Sequence, residues 1–282
     1  MTMRDTRERA LPTHRAQSVE DYLVYLKHLA LYKFVSSYTA RKRVLDLGCG
    51  EGYGSDALAH TAHFVVATDR DSAAVMHARQ KYARRNLAFV ICDAQSLPFS
   101  VESFETVVSF EVIEHIPSVR NYLEEVKRVS APAGVAIIST PNRMLRLLPL
   151  QKPWNRFHLR EYAARDLERA VGAVFARVSL RGMTATPPVL EIEKRRVRQN
   201  PFIAYPKMIA QILLPHRAYA WFRQVKTHMR PPVTIPAEPF DAARFSLDDF
   251  RVSEIANAER PVGNNLREWI NLIAIAAHQA AQ

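Results

Sequence analysis

Arg43-Val-Leu-Asp-Leu-Gly-Cys-Gly-Glu-Gly-Tyr-Gly54 is the stretch that decides the fold of this chain. A short apolar run passes directly into a run of glycines, and Gly48, Gly50, Gly52 and Gly54 are four of only eight in the protein. The pattern reads as a buried strand that ends in a tight turn. Glycine lets a backbone bend sharply and lie close to a ligand with no Cβ in the way. Residues 53–60 read as a helix whose first N–H groups are open to a ligand.

Working outward, the same alternation repeats. Phe64-Val-Val-Ala-Thr-Asp69, Leu87-Ala-Phe-Val-Ile-Cys92, Glu105-Thr-Val-Val-Ser-Phe110 and Val135-Ala-Ile-Ile-Ser139 read as further buried strands. Helices are expected over residues 72–84 and 119–129, the second with Tyr122, Leu123, Val126 and Val129 as its apolar stripe. Residues 160–171 read as another helix, 174–180 as another strand, and 269–277 as a last strand or helix. Continuous apolar strands separated by helices imply an α/β fold, a doubly wound and mostly parallel sheet covered on both faces. Such sheets bind ligands beyond the carboxyl ends of their strands.

The residues at those ends are informative. The dinucleotide spacing G-x-G-x-x-G, counted from Gly48 and Gly50, would need a third glycine where Tyr53 stands, which argues against a nicotinamide site. Asp69 ends the second strand, 19 residues beyond Gly50, where a carboxylate can accept hydrogen bonds from both hydroxyls of a ribose. Asp93 follows the third strand and adds a carboxylate beside the same crevice. Each acid alone reads equally well as a helix cap or a surface charge. Their joint occurrence at strand ends points to a ligand.

These segments resemble the motifs of class I S-adenosylmethionine-dependent methyltransferases. Val44-Leu-Asp-Leu-Gly-Cys-Gly-Glu-Gly-Tyr-Gly-Ser55 is similar to the glycine-rich motif, Ala67-Thr-Asp-Arg70 to the ribose motif, and Cys92-Asp-Ala-Gln-Ser-Leu-Pro-Phe99 to the adenine-side motif. Ser109-Phe-Glu-Val-Ile-Glu-His-Ile116 is similar to the motif after the fourth strand, and Ser139-Thr-Pro-Asn142 to the end of the fifth. The resemblance covers about residues 23–180. It implies a seven-stranded Rossmann-like sheet and S-adenosylmethionine as cofactor. It places Gly48 and Gly50 against the methionine part, Asp69 on the ribose, Asp93 toward the adenine amine and Phe110 along the cofactor. Asp46, Arg70 and Ala94 lie in the same motifs and complete the expected cofactor set. Two positions depart from the pattern: Glu105 replaces the usual Asp, and Ala131-Pro-Ala-Gly134 replaces Leu-x-Pro-Gly-Gly.

Methyl transfer is a direct displacement at a sulfonium carbon, so the protein mainly aligns nucleophile and methyl in a dry site. A hydroxyl nucleophile gains from a general base. His115 is the first candidate, with Glu111 and His158 beside it. Capping and packing of the loop account for Glu111 and His115 equally well. A metal-free site is the expectation here. The alternative is a divalent cation on Glu111, Glu114, His115 and His158, orienting and acidifying a hydroxyl. That arrangement resembles the small-RNA 3′-terminal 2′-O-methyltransferases and, in its Glu-x-x-Glu-His part, the polyprenyl-catechol O-methyltransferases; Mg²⁺ or Mn²⁺ would suit it. Asn155-Arg-Phe-His-Leu-Arg-Glu161 also resembles a segment of methyltransferases encoded among cell-surface polysaccharide enzymes, which implies a sugar or glycolipid hydroxyl as acceptor.

The remaining features concern partners. The 282 residues carry 39 Lys and Arg against 28 acids, a formal charge of +11, which favours anionic partners. No acid occurs from Lys194 to Ala237, whereas that stretch holds Lys194, Arg195, Arg196, Arg198, Lys207, Arg217, Arg223, Lys226 and Arg230. Met208, Ile209, Ile212 and Leu213, then Ala218, Trp221, Phe222 and Val225, fall at helical spacing among them. Such interleaving suits an anionic membrane surface or a lipid-linked substrate, and equally a helix packed on the core. No RNA-binding motif accompanies the charge, so nucleic acid is not expected. Cys49 and Cys92 match no zinc spacing and read as free thiols of a reducing compartment. The expected organisation is a flexible leader at 1–20, without the pattern of a secretory signal, a cofactor-binding core at 21–182, a basic insertion at 183–262 and a last core element at 263–282. A cytoplasmic enzyme, free or peripheral on a membrane, is expected, with an RNA or quinone-type acceptor, or a non-catalytic cofactor-binding partner, as the other readings.

Overall fold

The structure, a computed structural model, describes residues 18–149, 151–153, 155–197, 242–255 and 268–278. The leader up to residue 17, Trp154 and the basic stretch 198–241 lie outside the described residues. Five strands follow one another with helices between them: β1 (Arg43–Leu47), β2 (Phe64–Asp69), β3 (Leu87–Ile91), β4 (Phe104–Phe110) and β5 (Ser130–Pro141). Then come β6 (Arg177–Ala185), β7 (Phe250–Glu254) and β8 (Asn271–Ala277). The sheet order is β3-β2-β1-β4-β5-β8-β6-β7. β1 to β5 pair in parallel, whereas β8 runs antiparallel to both β5 and β6.

The sheet therefore has eight described strands rather than seven. The additional one is β7, antiparallel to β6, with Arg181 opposite Glu254 and Ala185 opposite Phe250. It lies within the stretch read as insertion. Its five residues bury Phe250 and half-bury Val252, too short an apolar signal to stand out from proline-rich surroundings. It covers β6 and, as the last strand in the order, leaves a shorter edge in its place. β6 itself continues to Ala185, and α7 (Pro187–Val197) follows it. Residues 269–277 resolve as a strand because they complete the ladder between β5 and β6.

Side chains alternate between the two faces, as pleated strands require. Val44, Val108 and Ile273 enter one core, with Leu31 and Val35 of α1 (Val19–Thr39), Leu58 of α2 (Tyr53–Ala59) and Val75 of α3 (Ser72–Lys81). Leu45, Val107 and Leu272 enter the other, with Tyr122, Leu123 and Val126 of α4 (Val119–Val129) and Leu167 of α6 (Ala164–Gly172). One short turn of helix, α5 (Arg143–Arg146), follows β5. The two departures from the family pattern fall near the amino ends of β4 and β5, away from the crevice. Glu105 accepts the Arg43 backbone N–H at 3.0 Å, and Ala131–Gly134 occupies a register shift between β4 and β5.

The sequence pattern did not single out α1. Ser18 caps it by accepting the Asp21 N–H at 3.1 Å, and it buries Leu23, Leu26, Ala30, Leu31 and Val35 at helical spacing. It also touches the glycine turn. The Tyr32 hydroxyl donates to both oxygens of Asp46 at 3.2 Å, and the Ser55 hydroxyl donates to Asp46 Oδ2 at 2.6 Å. Asp46 thus ties β1, α1 and α2 together from a buried position.

Two outcomes follow. Leu31→Ala is expected to lower stability by about 2–5 kcal/mol in urea denaturation, the cost of a buried leucine, whereas a detachable lid would lose little. Burial pushes the Asp46 carboxyl up to about 6 from 3.8, so the folded chain holds this proton to higher pH than the unfolded chain. Its contribution therefore disfavours folding as pH rises from about 4 to about 6, by roughly 3 kcal/mol in all. Asp46→Asn should remove that decline; parallel stability profiles for the two proteins would contradict it.

Candidate active site

The carboxyl ends of β1 to β5 open on one crevice. The glycine turn lies at its centre, clamped to the end of β2: Gly48 N–H and Cys49 N–H donate to Thr68 C=O at 2.7 and 2.8 Å, and Gly50 N–H donates to Asp69 Oδ2 at 3.0 Å. Gly48 has φ +85°, and a Cβ there would overlap the Val112 side chain, so only glycine fits. Gly50 differs. It has φ +52°, and a Cβ there would meet nothing within 4 Å. The backbone at Gly50 faces open space while its neighbours are packed, which is the shape of a cradle.

Asp69 is half-buried, with Oδ1 accepting the Asp71 N–H at 2.9 Å. Two backbone donors hold the carboxylate in place, and an ionised carboxylate retains capacity for further donors. Arg70 is exposed beside it. Asp93 is exposed and accepts the Gln95 N–H at 2.9 Å, with Ala94 half-buried next to it. Gln95 in turn accepts the Ser118 N–H at 3.0 Å, linking this loop to the start of α4. Phe110 is buried edge-on to Tyr32, ring centroids 5.0 Å apart. The structure gathers Gly48, Gly50, Asp69, Asp93 and Ala94 around the crevice. Asp46 lies beneath the turn as its anchor.

The second part of the site follows β4. Glu111 has φ +57°, a conformation that costs a side-chain-bearing residue energy and that here turns the chain sharply out of the strand. Its Oε1 accepts from Asn271 Nδ2 at 2.6 Å and from the Ser139 hydroxyl at 3.5 Å, while Oε2 faces buried Lys27 at 3.4 Å. Glu111 is thus held by α1, β5 and β8, apart from the two histidines.

Glu114, His115 and His158 do come together: one ligand atom from each lies within 4.8 Å of the others. The His115 and His158 rings meet edge to face at 4.8 Å. His115 Nδ1 binds Phe157 C=O at 2.9 Å, and His158 Nδ1 binds Glu161 Oε1 at 3.0 Å. Arg146 Nε donates to that same Glu161 oxygen at 3.2 Å. Glu114 Oε2 accepts the Thr140 hydroxyl at 3.0 Å, whereas its fully buried Oε1 has no hydrogen-bond partner among the described residues. Burial, then the nearby Glu111 charge, push the Glu114 carboxyl up to about 8. The spacing of Glu114, His115 and His158 fits a cation, and Glu111, the fourth residue of the alternative metal reading, lies outside that group.

Lys27, Tyr32 and Asn271 hold Glu111 and Asp46 in place, and the sequence pattern did not mark them. A lysine inside the apolar stripe of α1 and an asparagine at the head of an apolar strand were the available signals.

Comparison with known proteins agrees with this geometry. The family described as a methyltransferase domain matches residues 45–138. The "Probable S-adenosylmethionine-dependent methyltransferase" of Mycobacterium tuberculosis is 33% identical over 191 residues, 67% of this chain and 68% of that protein. The phthiotriol/phenolphthiotriol dimycocerosates methyltransferase of the same organism is 34% identical over 111 residues, 38% of this chain and 41% of that one. Among solved structures, a SAM-dependent methyltransferase of Thermotoga maritima superposes with a TM-score of 0.53 over 92% of this chain and 94% of that one; at 12% identity this speaks for the fold alone. With the glycine cradle, the strand-end carboxylates and a relative matched over two thirds of both chains, the protein belongs to the S-adenosylmethionine-dependent methyltransferases, and S-adenosylmethionine is its cofactor.

Proposed function

We propose that the chain O-methylates a hydroxyl of a sugar, glycolipid or related lipid-linked acceptor. The observation that carries this reading is the polar cluster of Glu114, His115 and His158 beyond the end of β4. An alcohol is a poor nucleophile until its proton leaves, so a site for it needs groups that manage that proton. A thiolate, which has already lost its proton, would not call for such a cluster. Two further observations support the acceptor class. The phthiotriol/phenolphthiotriol relative is named for a lipid. The basic stretch leaves the described residues at the end of α7, a helix that packs on α1 and α5. Of residues 194–230, expected to meet an anionic membrane surface or a lipid-linked substrate or else to pack on the core, 194–197 end α7, with Lys194 paired to Glu191 and Arg196 to Glu193, and 198–230 lie outside the described residues. No helix among the described residues is long and apolar enough to cross a membrane.

In this reading the methionine part of the cofactor lies on the Gly48–Gly50 backbone, its ribose on Asp69 and its adenine beside Asp93 and Ala94. S-adenosylmethionine bound there would supply its methyl group to the acceptor oxygen and leave as S-adenosylhomocysteine, and the hydroxyl would give up its proton. The cluster is where that proton leaves the acceptor. Arg146 and Glu161 fix the His158 ring from behind, and Phe157 C=O fixes His115, so neither imidazole needs to reorganise during the reaction. Glu111 plays a different part. With Lys27 and Asn271 it sets the turn out of β4 that presents Glu114 and His115.

Incubation with methyl-labelled cofactor and fractionated cell extracts tests the reading. Label is expected in the lipid or glycan fraction. His115→Asn should lower turnover about 100- to 10,000-fold while cofactor affinity is kept. Label confined to RNA or protein would contradict the acceptor class.

A further inference from the structure

We infer that Glu114, His115 and His158 hold one divalent transition-metal cation, as a three-ligand site from which Glu111 is excluded. Three observations point there. One ligand atom from each residue lies within 4.8 Å of the others, close enough for a single ion to bridge with small side-chain adjustments. Glu114 Oε1 is fully buried and has no hydrogen-bond partner among the described residues, an arrangement that costs free energy unless a cation or donor is met there. Both imidazoles have Nδ1 engaged from behind, His115 by Phe157 C=O and His158 by Glu161. A carbonyl can only accept, so His115 Nδ1 carries a hydrogen. Metal-ligating histidines are held in this way, by a carbonyl or a carboxylate on the other nitrogen.

The exclusion of Glu111 has its own cause. Its carboxylate is committed to Lys27, Asn271 and Ser139, on α1, β8 and β5. Two imidazoles and one carboxylate leave coordination positions open, as catalytic rather than structural sites do. The mixed nitrogen and oxygen set favours Mn²⁺, Fe²⁺ or Zn²⁺ over Mg²⁺. His115 is only half-buried, which leaves the site a way in from the crevice. Resting on the reading above, a hydroxyl of the acceptor fills an open position and becomes more acidic there. The trio then acts through the cation, and the proton departs to water.

Manganese(II) binding to the full-length, cofactor-free chain tests this, followed by the loss of the free Mn²⁺ electron paramagnetic resonance signal and by calorimetry. One equivalent is expected to bind. His115→Ala and Glu161→Gln should each weaken binding at least about 10-fold. Glu111→Gln, which alters the turn before the trio and no ligand, should weaken it clearly less than His115→Ala does. Binding of S-adenosylhomocysteine by every variant reports that the fold is kept, and Glu161→Gln serves if the His115 variant does not fold. A wild-type chain that binds S-adenosylhomocysteine but takes up no Mn²⁺, or a Glu111→Gln loss equal to that of His115→Ala, would overturn the inference. Because the readout is cation binding, its failure is distinct from failure of the acceptor assignment, which is read in methyl label.

Discussion

Parallel pairing of β1 with β2 is the constraint on which the rest of the structure depends. It sets Leu47 beside Thr68 and so brings the glycine turn against the end of the neighbouring strand. The turn then closes on Thr68 C=O and on the Asp69 carboxylate through three consecutive N–H groups. A chain with side chains at Gly48 could not make this approach, because Val112 already occupies the space. The bend, the carboxylate and the packing of the loop after β4 are therefore one structural unit. A cofactor that reads the bend also reads Asp69.

Burial separates the acids of the crevice by role. Asp69 and Asp93 are half-buried and exposed, respectively, and their carboxylates are steadied by backbone N–H groups. Asp46 is buried and commits its oxygens to Tyr32 and Ser55, which makes it a fastening for α1 and α2. Glu111 balances buried Lys27. Glu114 is buried with one oxygen unmatched, and that asymmetry sets it apart from the other acids of the site. Sequence spacing alone makes Glu111 and Glu114 look equivalent. They differ because the chain turns between them, through the left-handed conformation at Glu111, and aims one toward α1 and β8 and the other toward the histidines.

Much of this was legible in the sequence, for reasons that can be stated. β1 to β5 are apolar runs ending in glycine or acid, and α4 carries a clear stripe, so local pattern and tertiary position agree. The parts that were not legible depend on distant partners. α1 is apolar over much of its circumference, and its place is set by the glycine turn and by β4. β7 is five residues long, and its place is set by pairing with the distant β6. Lys27 and Asn271 meet the site through Glu111, which lies 84 and 160 positions away. The association of His115 with His158 was suggested by family likeness, but the separation of Glu111 from them required the fold.

The most direct test of the central claim is calorimetric titration of S-adenosylhomocysteine into the wild-type chain and into Asp69→Ala. Loss of two hydrogen bonds to a charged acceptor, each worth about 1.5–3 kcal/mol, should weaken binding at least about 100-fold. Undiminished affinity in a folded Asp69→Ala protein would mean that the cofactor lies elsewhere than in the crevice described.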